Sequence, residues 1–241
     1  MFKAAIILTG MITAGAVSAA EPVHVAIYRG PAGCEGCSEA VQRAFERIGA
    51  DYLIEYVGPD ELLDVEDVNT QSFDIYVQPG GGQDIPAALD SIGDDGAAAI
   101  KDFVADGGKY LGLCMGAYLA SASNLGLIAD DLDSEVGREG FPVTTIADAS
   151  VSVTWNGDDD QVFFQDGPYL LDHEGELGFH TIATYENGDI AAARYAFGDG
   201  TVVLSGPHPE AESEWFIAAD LPLDSMPRGD LFDALVDQLV H

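Results

Sequence analysis

The amino-acid sequence predicts an α/β fold, a mostly parallel central sheet covered by helices on both faces, with an antiparallel extension in the second half. Three observations lead there. Short β-rich runs alternate with segments of helical apolar spacing through the first half, the runs end in glycine- and proline-containing loops, and the second half carries strand-like runs separated by turn signals. Val23 to Tyr28 is the first strand, ending at Arg29-Gly30-Pro31, and Cys34 to Ile48 follows with Val41, Ala44, Phe45 and Ile48 at helical spacing. Tyr52 to Val57 and Phe73 to Val77 are the second and third strands, the third ending at Pro79-Gly80-Gly81-Gly82. A helix from about Asp94 to Asp106 closes at Gly107-Gly108 and leads into the strand Lys109 to Leu113. Val151 to Trp155, Asn156-Gly157 and Gln161 to Phe164 form a hairpin, with Asp158-Asp159-Asp160 as its solvated tip. Thr181 to Tyr185, Asp189 to Phe197 and Thr201 to Leu204 are further, partly antiparallel strands, and a final helix spans Asp230 to Val240. No internal repeat or linker divides residues 21–241, which are expected to form one domain. In such sheets ligands bind beyond the carboxyl ends of the strands, which directs attention to the loops Arg29 to Cys37, Pro79 to Asp84 and Cys114 to Tyr118.

Charge narrows the function. Nine Lys and Arg face 42 Asp and Glu, a net charge of −33. A phosphate-binding surface needs clustered cations, so nucleic acid is excluded as a partner and anionic membrane surfaces are disfavoured. The apolar content of 47% supplies a core, and so large a negative charge suits a salty setting.

The first twenty residues read as a secretory signal peptide: a short positive start at Met1 to Lys3, an apolar stretch from Ala4 to Val17, and small residues at Val17-Ser18-Ala19-Ala20. The mature protein is expected to be periplasmic or secreted, with no membrane insertion after cleavage. In an oxidising compartment Cys34 and Cys37 of C-E-G-C are expected to form a disulfide. A structural bridge is the preferred reading, because Glu35 and Glu39 add charge that disfavours a reactive thiolate; a redox pair, or exchange with Cys114, stays open as the alternative.

The most informative stretch is Gly112-Leu113-Cys114-Met115-Gly116-Ala117-Tyr118, between a strand and a helix-compatible Tyr118 to Ala122. It has the form of a nucleophile elbow, G-x-S-x-G with Cys in the serine position, where small residues flank a strained turn because strand and helix come close. The Met115 N–H and a donor from Gly80, Gly81 or Gly82 are then placed for a developing oxyanion. A buried core cysteine at a glycine-rich strand end is the plain alternative. Ser205-Gly206-Pro207-His208-Pro209-Glu210 follows the strand Thr201 to Leu204, which puts His208 at a strand's carboxyl end with Glu210 two residues on to hold its ring. Cys114, His208 and Glu210 make a nucleophile, general base and orienter.

Together, the G-x-C-x-G elbow, the glycine-rich loop and H-P-E resemble the class I glutamine amidotransferase superfamily. The blocks Tyr28-Arg29-Gly30-Pro31, Gln78-Pro79-Gly80-Gly81, Gly107 to Cys114, Asp166-Gly167-Pro168-Tyr169 and Ser205 to Glu210 are most similar to the amidotransferase-like domain at the N-terminus of biotin-protein ligases. The resemblance implies a flavodoxin-like three-layer sandwich and a Cys-His-Glu triad. Superfamily glutaminases carry Gln four residues after the nucleophile where this chain has Tyr118, so glutamine hydrolysis is not implied. With the chain ending at His241, biotinylation is not implied either.

Other sites fail on spacing. Asp131-x-Asp133-x-Glu135 begins like a calcium loop, but Val136 and Pro142 stand where the glycine and bidentate Glu belong. Gly108-Lys109 lacks the upstream glycine of a P-loop. No metal or other cofactor is expected. His173 and His180 read as loop or sheet histidines rather than ligands, with His173, soon after Gly167-Pro168-Tyr169, the one placed to come near the pocket. Two functional readings follow: a thiol hydrolase or amidase acting on a small amide or ester, or a binding protein that keeps the pocket without turnover, its ligand cleft lined by Tyr28, Tyr118 and Tyr169.

Overall fold

Why the chain forms one continuous sheet is visible in its connections. The computed structural model describes residues 21–49 and 51–240; the expected signal peptide and His241 lie outside the described residues. Strands β1 (Val23–Tyr28), β2 (Tyr52–Val57), β3 (Ile75–Gln78), β4 (Lys109–Leu113), β5 (Ala149–Trp155), β6 (Asp158–Phe164), β7 (His180–Tyr185), β8 (Ile190–Phe197) and β9 (Gly200–Ser205) form a nine-stranded sheet. Its order is β2-β1-β3-β4-β9-β8-β7-β5-β6. From β2 to β9 neighbours are parallel, in the 2-1-3-4 order of flavodoxin-like sheets, and from β9 to β6 they are antiparallel. The sheet is therefore mixed rather than mostly parallel. No helix separates β5 from β6, β7 from β8 or β8 from β9, and such short connections permit only antiparallel neighbours.

Helices α1 (Cys37–Ile48), α2 (Ile85–Ala105), α3 (Met115–Leu119), α4 (Ser213–Ala218) and α5 (Leu231–Val240) complete the fold. None of the described helices is long and apolar enough to cross a membrane. Alternate residues of each parallel strand go to opposite faces. Ala26, Tyr76, Tyr110 and Val202 pack with Ile92, Ile100 and Phe103 of α2. Val25, Ile75, Leu111 and Val203 pack with Phe45 of α1 and Phe232 and Leu235 of α5. Phe45 and Phe232 meet edge to face at 5.1 Å, joining the two helices of that layer.

Three elements differ from expectation. Helix α2 starts at Ile85 rather than Asp94: Asp84 caps the Ala87 N–H at 3.0 Å, Pro86 sits in the first turn, and Gly93, at φ 77° and ψ 162°, breaks the apolar phase in mid-helix. Helix α3 begins at Met115, immediately after the cysteine, rather than at Tyr118. The hairpin tip is Asn156-Gly157, both at positive φ as a two-residue primed turn requires, so Asp158-Asp159-Asp160 are strand rather than tip.

Asp160 is buried and accepts from the backbone N–H groups of Gln161 (2.8 Å), Arg228 (2.9 Å) and Gly229 (3.1 Å), tying β6 to the segment that enters α5. Asp160→Ala removes the acceptor of three part-buried N–H groups and is expected to lower unfolding free energy by about 1–3 kcal/mol in urea denaturation.

Candidate functional site

Parallel pairing brings the carboxyl ends of β1, β3, β4 and β9 to one edge of the sheet, with Leu113 of β4 opposite Ser205 of β9. The Cys114 N–H extends that ladder by one bond to the Ser205 carbonyl at 2.8 Å, and the chain then turns at once into α3. Cys114 takes φ 51° and ψ −107° to do so, a conformation that strains a residue with a Cβ by about 1–3 kcal/mol. Glycines make the turn possible. A Cβ on Gly112 would stand 2.6 Å from the Gly116 carbonyl oxygen, and one on Gly116 would stand 2.2 Å from that of Gln78. The buried Tyr110 hydroxyl donates to the Gly116 carbonyl at 2.7 Å and braces the elbow from below. Met115 is the first residue of α3, so its N–H has no carbonyl partner within the helix.

His208 and Glu210 stand beside this turn. His208 Nδ1 lies 2.8 Å from Glu210 Oε1, and both residues are buried. The His208 N–H donates to the Phe163 carbonyl at 2.8 Å, bridging the β9 loop to the end of β6, while Ser205 Oγ donates to Pro207 O at 2.8 Å. Trp215 of α4 and Phe163 hold the ring, with centroids 5.2 and 6.0 Å away. Burial disfavours protonation of His208, but the charges of Cys114 and Glu210, and hydrogen bonds with both, outweigh it and raise the imidazole above its ordinary range. Glu210 Oε2 is buried without a hydrogen-bond partner among the described residues.

The cleft around these residues has two lobes that share Gly81 and Gln165. Cys114, Met115, Tyr118 and Gly82 line one, of about 200 Å³. His208, Trp215, Phe163 and the bonded pair Cys34–Cys37 line the other, of about 320 Å³. Tyr118 donates to the Asp166 carbonyl at 3.0 Å, and the Cys114 thiol donates to the Gln165 carbonyl at 3.4 Å. Gly80 packs against the His208 ring: a Cβ there would lie 2.6 Å from His208 Cε1.

Two expected pocket residues, Tyr28 and Tyr169, lie elsewhere. Tyr28 is buried beneath the first loop, its hydroxyl accepting from the Ala32 N–H at 3.1 Å, because alternation along β1 points it into the helix-covered face. Tyr169 lies outside both lobes, with the Arg138 guanidinium stacked 3.7 Å from its ring centroid. His173 sits in a separate cleft between Asp130 and Glu176 against Phe179 and Tyr195, and both carboxylates raise its pKa. Among the described residues no cluster of His, Cys, Asp or Glu is arranged to hold a metal ion. Trp215 and Gln165 carried no signal as site residues, and Gln78 stood only within the Gln78-Pro79-Gly80-Gly81 block. Gln78 Nε2 donates to Ala32 O at 2.9 Å and its Oε1 accepts from Tyr76 at 2.8 Å, joining the first loop to the glycine loop.

One wall of the cysteine lobe, Asp133-Ser134, is fastened by its neighbour Glu135. Glu135 is buried and accepts from Asn187 at 2.7 Å; its other oxygen has no hydrogen bond and lies 3.5 Å from Arg138 Nε, which sits closer to Asp189 at 2.6 Å. Burial, reinforced by Asp189, pushes its pKa from 4.5 to about 7, against the opposing effects of Asn187 and Arg138. The folded state thus binds this proton more tightly than the unfolded chain, and its contribution to stability is lost as pH rises from 4.5 to about 7. Glu135→Gln is expected to flatten that slope relative to the parent, by roughly 1–3 kcal/mol between pH 5 and 8 in paired urea melts.

Residues 23–139 match the family described as "Biotin-protein ligase, N terminal". A biotin–protein ligase of Schizosaccharomyces pombe is 28% identical over 224 residues, which cover 80% of this chain and 34% of that protein. The chain thus spans about a third of that relative's length. In structure, a candidate GMP synthase subunit of Thermoplasma acidophilum superposes with a TM-score of 0.55 at 14% identity, covering 91% of this chain and 94% of its own. A glutamine amidotransferase gives a TM-score of 0.55 at 15% identity over 81% of this chain and 97% of its own. At these identities the two structures establish the fold alone. In sequence the chain is similar over residues 23–139 to the N-terminal family of biotin-protein ligases, and its fold is similar to that of a glutamine amidotransferase and of a candidate GMP synthase subunit.

Proposed function

We propose that residues 21–241 act as one exported, amidotransferase-like domain that hydrolyses a small amide or ester through Cys114. One observation carries this reading: a cysteine held at positive φ where a parallel strand turns into a helix, beside a buried His–Glu pair. Strain of this kind persists only where the surroundings impose it, and it projects the sulfur at the head of the turn. Attack by Sγ forms the S–C bond, and the oxyanion is met by the Met115 N–H and by an amide of Gly81 or Gly82. His208 passes its proton to the departing amine or alcohol as the substrate C–N or C–O bond breaks. Water activated by the same imidazole then releases the acyl group from sulfur. Glu210 fixes the ring tautomer and offsets its charge. The Cys34–Cys37 bond supports an oxidising, exported setting.

One contact favours a second reading, a ligand pocket without turnover: the Cys114 thiol donates to the Gln165 carbonyl at 3.4 Å. Alkylation separates the two. If the site is catalytic, iodoacetamide labels Cys114 at pH 6 about tenfold faster than free cysteine, and Glu210→Gln removes the advantage. Hydrolysis of p-nitrophenyl acetate then falls about a thousandfold or more in Cys114→Ser and His208→Ala. Gly80→Ala, which pushes a methyl into the His208 ring, is expected to lower the rate strongly while the variant stays folded by circular dichroism. Labelling no faster than free cysteine, with ligand-induced thermal stabilisation retained in Cys114→Ser, supports the binding pocket instead.

A further inference from the structure

Both lobes of the cleft carry charge of one sign. Asp133 and Asp166 line the Cys114 lobe, and Glu35, Asp148 and Glu214 line the His208 lobe; among the described residues neither has a lysine or arginine in its wall. The arginines set around the first loop, α1 and the Glu135 wall are held by carboxylates of their own: Arg29 by Glu61 and Glu39, Arg43 and Arg47 by Glu212, Arg138 by Asp189. A substrate carboxylate entering here finds no counter-ion. Low-dielectric walls carrying one sign of charge focus the field into a cleft, so a cation entering it is drawn inward.

The two lobes also differ in a way that assigns them to the two halves of a substrate. The nucleophile belongs to one and the proton donor to the other. The acyl carbon must reach Cys114, and the leaving group must stand where His208 can protonate it. The leaving group therefore occupies the lobe with Glu35, Asp148, Glu214 and the aromatic rings of Trp215 and Phe163, which meet edge to face at 5.4 Å. Aromatic faces together with carboxylates bind ammonium or guanidinium groups.

We infer that the substrate is an amide or ester whose leaving group carries a positive charge, and that substrates bearing a carboxylate on that side are excluded. This rests on the hydrolase reading above for the direction of reaction, whereas the charge preference belongs to the cleft itself. In the chemical step the Cys114 S–C bond forms, the C–N or C–O bond to the cationic fragment breaks, and the His208 proton leaves with that fragment. Water restores the thiol and releases the acyl group as a carboxylic acid.

Two measurements test it. In the first, Cys114 of the intact protein is alkylated with neutral iodoacetamide and anionic iodoacetate at low salt, and the rate ratio is divided by that of N-acetylcysteine. A normalised ratio of about tenfold or more is expected, collapsing in 1 M NaCl. It should fall severalfold in the Asp148→Asn, Glu214→Gln double variant. Glu66→Gln with Asp90→Asn, two exposed carboxylates outside both lobes, removes the same charge and should leave the ratio unchanged. In the second, Cys114→Ser is melted with benzamidine or benzoate, and stabilisation by the cation alone is expected, lost in Glu214→Gln. A normalised ratio near one, an equal effect of both charge pairs, or stabilisation by benzoate as large as by benzamidine overturns the inference, as does absence of discrimination in both measurements. Charge discrimination without any hydrolysis would remove the hydrolase reading and leave the cation preference standing. Hydrolysis without charge discrimination would do the reverse.

Discussion

Everything at this sheet edge depends on one hydrogen bond, from the Cys114 N–H to the Ser205 carbonyl at 2.8 Å. It extends the β4–β9 ladder one residue past the strand, so the cysteine cannot relax away from β9, yet the next residue must already be helical. Positive φ at Cys114 is the remaining route between those two demands, and it is tolerated because Gly112 and Gly116 let the helix settle against the strands. The same ladder carries β9 to its end beside the elbow, and His208 follows three residues later. Cys114 and the His208 loop are thus brought to one sheet edge by backbone pairing, before any side chain contributes.

A chain so rich in carboxylates places its few cations with care. Arg29 bridges the first loop to Glu61 and Glu39 and stacks on Tyr56, Arg138 braces the Asp189 corner against Tyr169, and Arg43 and Arg47 share Glu212 ahead of α4. Pairs as exposed as Arg43 with Glu212 stabilise little individually, on the order of 1 kcal/mol or less. Their larger effect is to hold loops around the cleft while leaving its walls negative. The exceptions are buried. Glu135 and Glu210 each keep one oxygen without a hydrogen bond among the described residues, and each lies at or behind a wall of the site, where polar groups are retained at the expense of stability.

Much of the fold was legible in the residues. Alternation over Val23–Tyr28 and Lys109–Leu113, the Asn156-Gly157 turn and the amphipathic spacing of Leu231–Val240 are local signals, and the structure places elements there. Legibility failed where a local signal was interrupted or reversed. Gly93 split the apolar phase of α2 and hid its first half; the run of three aspartates looked like a solvated tip until Asp160 proved to be an internal acceptor for Arg228 and Gly229. Tyr28 and Tyr169 were assigned to a cleft on proximity along the chain, whereas the face to which each side chain points depends on the pleat and on partners such as Arg138.

By itself the sequence determined the α/β class, the position of the strained turn at Cys114, and the pairing of His208 with Glu210, because glycine spacing, strand periodicity and a two-residue offset act over short stretches of chain. Only the tertiary structure decided that β9 pairs with β4, that Trp215 and Gln165 face the cleft, and that its lining holds carboxylates and no lysine or arginine. Those facts depend on which distant segments meet. Strand pairing, the edge contact of α4 and the burial of charges are settled by the free energy of the whole packed sheet, and no window of sequence contains that information.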